Sequence, residues 1–194
     1  MKIPIITKTL LLLILVFSLN SCKTKARLPA EKQVVSIQKE DFPKSWEGNY
    51  KGNLEIYSVD SIAMNIQMNL DIVHKTDSIY DWTIIYQIKG KEDIRAYELQ
   101  IVDTKKGHYI IDEKNSIKID AFYRNRIFTS FFEVMNSYIV ATYTKQNNQI
   151  VFEIISASGK TTTTTGNTKH DGEDIPEVKT YFVNGRQKAI LIKQ

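Results

Sequence analysis

From Trp46 to the C-terminus the chain alternates between apolar and polar positions. Ile62, Met64, Ile66, Met68, Leu70 and Ile72 fall on one side, and Ala63, Asn65, Gln67, Asn69 and Asp71 on the other. A helix cannot place every second residue on one face, so this stretch predicts a half-buried antiparallel strand. Trp46, Gly48, Tyr50, Gly52, Leu54 and Ile56 precede it in the same rhythm. Trp82, Ile84, Tyr86 and Ile88 follow it, and then Tyr97, Leu99 and Ile101. Further strands are predicted at roughly 108–113, 116–122, 126–134, 138–145, 149–156, 178–184 and 186–192.

Turn residues separate these runs: Lys89-Gly90-Lys91, Lys105-Lys106-Gly107, Lys114-Asn115, Asn147-Asn148 and Asn184-Gly185. The last is the strongest hairpin signal, because both residues tolerate positive φ. No stretch of a dozen residues carries a helical stripe with caps. The fold class is therefore all-β: an antiparallel meander barrel of about ten strands, with a β-sandwich as the alternative. Closure abolishes the edges that an open meander would leave. Ser156 to Pro176, with Thr161 to Thr165 at its centre, has few apolar residues and is expected to be a long loop. It would serve either as a lid at a barrel mouth or as a tolerated surface excursion.

Ahead of the barrel pattern the chain is different. Lys2 and Lys8 give a positive start, Leu10 to Phe17 is unbroken and apolar, and Ser18-Leu19-Asn20-Ser21-Cys22 closes the segment. That is the plan of a secretory signal, too short for a comfortable membrane-spanning helix. Its end resembles a bacterial lipobox, with Leu19 three residues before Cys22 and Ser21 directly before it; Asn20 departs from the usual small residue. The resemblance implies cleavage before Cys22, the chain's single cysteine, and acylation of its sulfur. An ordinary cleaved signal and an uncleaved anchor are the alternatives. The expected organisation is a signal peptide over 1–21, the acylated Cys22 and a flexible tether over 22–44, and the barrel over 45–194. Lys23-Thr24-Lys25 resembles neither an inner-membrane retention signal nor an acidic surface-export signal. The expected location is the periplasmic face of the outer membrane.

The charge changes this picture little. Lys and Arg number 26 against 22 Asp and Glu in 194 residues, and losing residues 1–21 removes Lys2 and Lys8. Acids and bases are interspersed, which argues against a nucleic-acid partner. One cysteine allows neither an internal disulfide framework nor a Cys-rich zinc site.

Trp46-Glu47-Gly48-Asn49-Tyr50-Lys51-Gly52 is similar to the first strand of lipocalins and other calycin-like barrels. In that family the tryptophan plugs one end of the barrel and glycines let the strand bend as the sheet closes. The resemblance implies that Trp46 is a plug covered by an arginine from the far strands, with Arg186 the first candidate. Lys44 stands where lipocalins have a glycine, and neither a C-terminal helix nor a helical lid follows. A helix-free ten-stranded barrel resembles nitrobindin-like proteins more closely, and the whole looks like the small lipoproteins common in Bacteroidetes.

The chemistry is sparse. His74, His108 and His170 have no metal-ligand spacing, and no nucleophile elbow, phosphate loop or glutamate–histidine zinc motif occurs. No catalytic group, metal or cofactor is expected. Tyrosines and methionines on the inward phase suit a cavity that holds a small apolar ligand. Met64, Met68, Trp82, Tyr86 and Leu99 are the expected lining residues. The leading expectation is a non-enzymatic, membrane-anchored binding barrel. The alternative is an envelope structural or protein-interaction module with a solid core. Phe128, Phe131 and Phe132 put apolar residues on both faces of one strand, which fits a partner, lipid headgroups or the tether.

Overall fold

A computed structural model describes residues 40–194. The signal, Cys22 and most of the tether lie outside the described residues. A 3-10 turn (Lys44–Trp46) leads into ten strands that close a barrel: β1 (Gly48–Tyr57), β2 (Ile62–Thr76), β3 (Ile79–Ile88), β4 (Lys91–Asp103), β5 (His108–Asp112), β6 (Lys118–Arg124), β7 (Ile127–Val134), β8 (Ser137–Gln146), β9 (Gln149–Thr165) and β12 (Val178–Lys193). Neighbours in sequence pair antiparallel from β1 through β9, β9 pairs β12, and β12 returns to β1. The last strand thus zips to the first, with Tyr50 opposite Lys193 and Leu54 opposite Ala189. Gly52 lies on this seam. A Cβ there would collide with the Ile190 carbonyl, so only glycine lets the two backbones approach so closely.

Alternation decides which side chains go in. Ile66, Met68, Leu70 and Ile72 of β2 are buried, as are Tyr80, Trp82, Ile84 and Tyr86 of β3. The polar residues between them face outward. Among the described residues no helix is long and apolar enough to cross a membrane.

Two expectations about the chain's second half are corrected. Asn184-Gly185 makes no hairpin; β12 runs through it, and the register shifts between Val183 and Gly185. Ser156 to Pro176 is no loop either. β9 continues to Thr165, β10 (Thr168–His170) and β11 (Glu173–Ile175) form a small hairpin, and β12 descends from Val178. Threonine favours extended backbone, and cross-strand partners such as Thr163 and Thr180 hydrogen-bond through their hydroxyls at 2.5 Å. The result is a two-stranded ribbon rising from the barrel wall. Packing also reaches further towards the N-terminus than the expected boundary, since Phe42 is part of the core.

Strand direction gives the barrel two ends. We refer to the end at which β1 begins as the closed end. The β2–β3, β4–β5, β6–β7 and β8–β9 turns lie there. The β1–β2, β3–β4, β5–β6 and β7–β8 connections and the ribbon lie at the opposite, open end.

Candidate functional site

The closed end is filled with rings. The 3-10 turn carries Trp46 into the interior, where it is fully buried. Phe42 meets Trp46 edge-on at 4.8 Å between centroids, stacks on Tyr123 at 4.4 Å and meets Tyr109 edge-on at 4.9 Å. The Tyr50 hydroxyl donates to the Trp46 carbonyl at 2.8 Å and accepts from Lys145 Nζ at 2.7 Å. Lys145 is the one buried charged residue among the described residues. Burial lowers its affinity for a proton, and so does the nearby Lys193. Burial, followed by the Glu40 carboxylate, pushes Tyr50 and Tyr123 up to about 12.

Arg186, expected over Trp46, is elsewhere. Ala189 and Leu191 occupy the inward phase of β12, which turns Arg186 outward. Its guanidinium stands 3.5 Å from Glu153 and 5.4 Å from the centre of the Tyr57 ring. Two lysines meet Tyr50 instead: Lys145, on the inward phase of β8, with its Nζ 4.7 Å from the ring centre, and Lys193 at 5.9 Å.

Above the plug a column of rings leads upward. Phe128 lies 5.1 Å from Phe42 and 5.6 Å from Trp82. Trp82 meets Tyr143 edge-on at 5.2 Å, and Tyr143 lies 4.7 Å from Phe152. Beyond these four rings the interior opens into a cavity of about 130 Å³. Ile84, Ile111, Ile119, Phe132 and Ile154 line its wall, and Tyr86, Tyr97, Arg95 and Glu113 bring polar groups to it. Ser130 and Ala141 line it as well, and they are direct cross-strand partners on β7 and β8. Two small inward residues side by side leave room that aromatic residues take up at the closed end.

The cavity's polar groups are few. Arg95 lies over Tyr86, 5.2 Å from the ring centre, and bonds Asp93 at 3.2 Å. Burial raises the Tyr143 phenol far above its ordinary range and raises Tyr86 and Tyr97 as well, so all three are neutral donors at physiological pH. The buried Trp82 Nε1–H points towards the Tyr143 hydroxyl without completing a hydrogen bond of good geometry, and the Trp46 Nε1–H in the plug is unpaired as well among the described residues. An unpaired buried donor costs about 1–3 kcal/mol.

Of the five expected lining residues, Trp82 and Tyr86 face the cavity. Met68 and Leu99 are fully buried in packed wall. Met64 shares their phase but is half exposed beyond the point where the wall is continuous. Tyr97 and Tyr143 join Trp82 and Tyr86 at the cavity, as inward tyrosines, while Arg95, Phe128, Ser130 and Ala141 were not expected there, although each lies on a predicted strand or directly beside one. Among the described residues no group of three His, Cys, Asp or Glu is placed to hold a metal ion. His108 instead bonds Asp120 at 2.6 Å and stacks on Phe122. No family model matches the chain, and no curated protein matches it at a significant level.

Proposed function

We propose that this chain is a membrane-anchored lipoprotein whose barrel binds a small, mainly apolar ligand through the open-end cavity. The observation that carries the reading is a ring-lined space of about 130 Å³ bordered by a few polar groups, Arg95, Tyr97 and Glu113 among them. An apolar cavity of ~150 Å³ takes up benzene, so the fitting occupant is one ring or a short branched chain. A whole fatty acid or a tetrapyrrole is too large, since pockets for drug-sized ligands run from ~300 Å³ upward. Any polar end of the ligand would lie beside Arg95 and Tyr97.

Toluene and indole are suitable probes. Titration followed by methyl NMR should shift the Ile84, Ile111, Ile119 and Ile154 signals and leave Ile150 and Leu191 in place. No shift at saturating probe would overturn the ligand reading.

The anchoring half of the proposal is supported by the apolar Leu10 to Phe17 run and by the position of the single Cys22. Metabolic labelling with a palmitate analogue should mark the wild type, and Cys22→Ala should leave the membrane fraction. An unlabelled, correctly processed protein ends that half. The outer-membrane, periplasm-facing location is part of the same proposal, and fractionation of labelled cells tests it.

A further inference from the structure

The two ends of the barrel differ in what their connections display. The four closed-end turns are Asp77-Ser78, Thr104 to Gly107, Asn125-Arg126 and Asn147-Asn148, and none has an apolar residue. Four of the five open-end connections do have one exposed. Val59 of the β1–β2 connection is fully exposed, Met135 of the β7–β8 turn is 94% exposed, and Ile117 of the β5–β6 turn is exposed too. In the ribbon Ile175 is exposed, and Phe182 and Val183 of β12 are exposed at its base, where β12 leaves the barrel wall. The fifth connection is Lys89-Gly90-Lys91, two exposed cations on long apolar stems. In the strand order these connections are spread around the rim that surrounds the cavity mouth.

Met135 makes the pattern sharper. Its φ is 48° and that of Asn136 is 58°. Both central residues of this two-residue turn are left-handed, a conformation that Asn and Gly adopt readily and a long apolar side chain does not. Long side chains take the same conformation at Lys89, Lys114 and Arg126, but among the described non-glycine residues with positive φ Met135 is the one apolar residue. A methionine held at a strained tip and left in water gains nothing from the fold itself.

We propose that the open end docks on a lipid surface, with Val59, Ile117, Met135 and Phe182 entering the interface. Three separate convex tips, with Phe182 on the wall beside them, would need a matching set of pockets on a protein partner, whereas fluid acyl chains accommodate any arrangement. Interfacial binding of this kind grows with the apolar area buried, and lysine stems on the same rim keep their ammonium groups at the headgroups. The chain enters the barrel at the closed end, where Tyr123 and Arg126 hold Glu40. From Cys22 to Glu40 the chain can extend by at most about 60 Å, against about 33 Å along the ten residues of β3. An anchor on Cys22 therefore leaves length enough for the far end of the barrel to reach the same bilayer. The docking stands on the ring of tips alone. Joined to the ligand reading, it gives an apolar ligand a path between membrane and barrel that avoids water.

The test uses the full chain with Cys22→Ser and one new cysteine carrying the environment-sensitive fluorophore NBD. Met135→Cys and Val59→Cys report the open end, and Asn147→Cys reports the closed end. Vesicles of phosphatidylethanolamine and phosphatidylglycerol with nitroxide-labelled lipids supply the surface. The expected result is a blue shift and several-fold stronger quenching at 135 and 59 than at 147. Equal quenching at both ends, or none at 135 and 59, overturns the proposal. So does burial of the 135 label without lipid through a stable dimer. Toluene uptake by the same variants is measured separately. Quenching without uptake keeps the docking and overturns the ligand reading; uptake without quenching does the reverse.

Discussion

The closed and open halves of the barrel share the same ten strands and the same alternation, yet one is solid and the other hollow. At the closed end the inward positions hold Tyr50, Tyr80, Tyr109 and Tyr123, and Phe42 and Trp46 fold in beneath them. At the open end Ser130 and Ala141 stand side by side. Alternation decides which residues point inward, while their summed volume decides whether the interior is full. A small barrel can be packed throughout; here a local run of small side chains leaves a space in half of it.

The largest test of this contrast is Trp46→Ala. Deleting a fully buried large aromatic should cost ~3–5 kcal/mol, read as a lower midpoint of denaturant unfolding. An unchanged midpoint would mean that the plug contributes nothing to stability. Next is Tyr50→Phe, which leaves the Lys145 ammonium without its acceptor and should cost ~1–3 kcal/mol.

Tyr50 and Tyr123 also set a dependence on pH. Their folded pKa is about 12, against ~10 in an unfolded chain. Below the lower value both states keep the protons. Between the two values the unfolded chain has released them and the fold has not, so stability falls as pH rises through that window. Lys145 acts in the opposite sense at lower pH. Its folded pKa is depressed, so stability rises as pH climbs from that value towards ~10.4, the ordinary lysine pKa. Unfolding midpoints across the alkaline range should therefore drop above pH ~10, and Tyr50→Phe should flatten the drop.

A smaller pair of substitutions compares packed wall with hollow. Met68→Trp overpacks a fully buried position and should cost ~1–3 kcal/mol. Ala141→Leu extends into the cavity, so it should cost less than Met68→Trp and abolish toluene binding. Equal penalties would show that the open half has no usable space. Smallest of all is Met64→Trp. At a half-exposed position beyond the wall it should stay within ~0.5 kcal/mol of the wild type and leave toluene uptake intact.

Much of this architecture was legible in the sequence. The alternation names the buried face of β2 from Ile66 to Ile72, though Ile62 and Met64 share its phase and are exposed, and Trp46 stands just ahead of the first strand. The errors have physical causes. Asn184-Gly185 has the local chemistry of a turn, but pairing with β9 extends β12 across it, and tertiary context overrides a dipeptide. Thr161 to Thr165 has no apolar alternation, so a search for buried faces passes over it even though threonine suits extended backbone. Arg186 was assigned by analogy to the far strand, and its phase, opposite to that of Ala189, turns it outward. The cavity was only half legible. Trp82 and Tyr86 were placed correctly on the inward face, but the space beside them depends on Ser130 meeting Ala141 across β7 and β8. That is a matter of register, and a single strand's pattern contains no information about it. Lys145 was hidden for the same reason: it shares the phase of Tyr143, but its partner Tyr50 lies on β1.

The seam between β12 and β1 also has a consequence in time. Tyr50 cannot meet Lys193 until nearly the whole chain exists, so the final closure joins the most distant segments of the molecule. Contacts of such long range make folding slow, because the entropy of closing the loop is lost before any pairing compensates. Until β12 arrives, β1 and β9 both present open edges and the row of inward rings has no lid. During its own synthesis the protein therefore passes through a state in which its stickiest surface is complete and its protection is not. Whatever keeps that state from aggregating must act until the sixteen residues of β12 are in place.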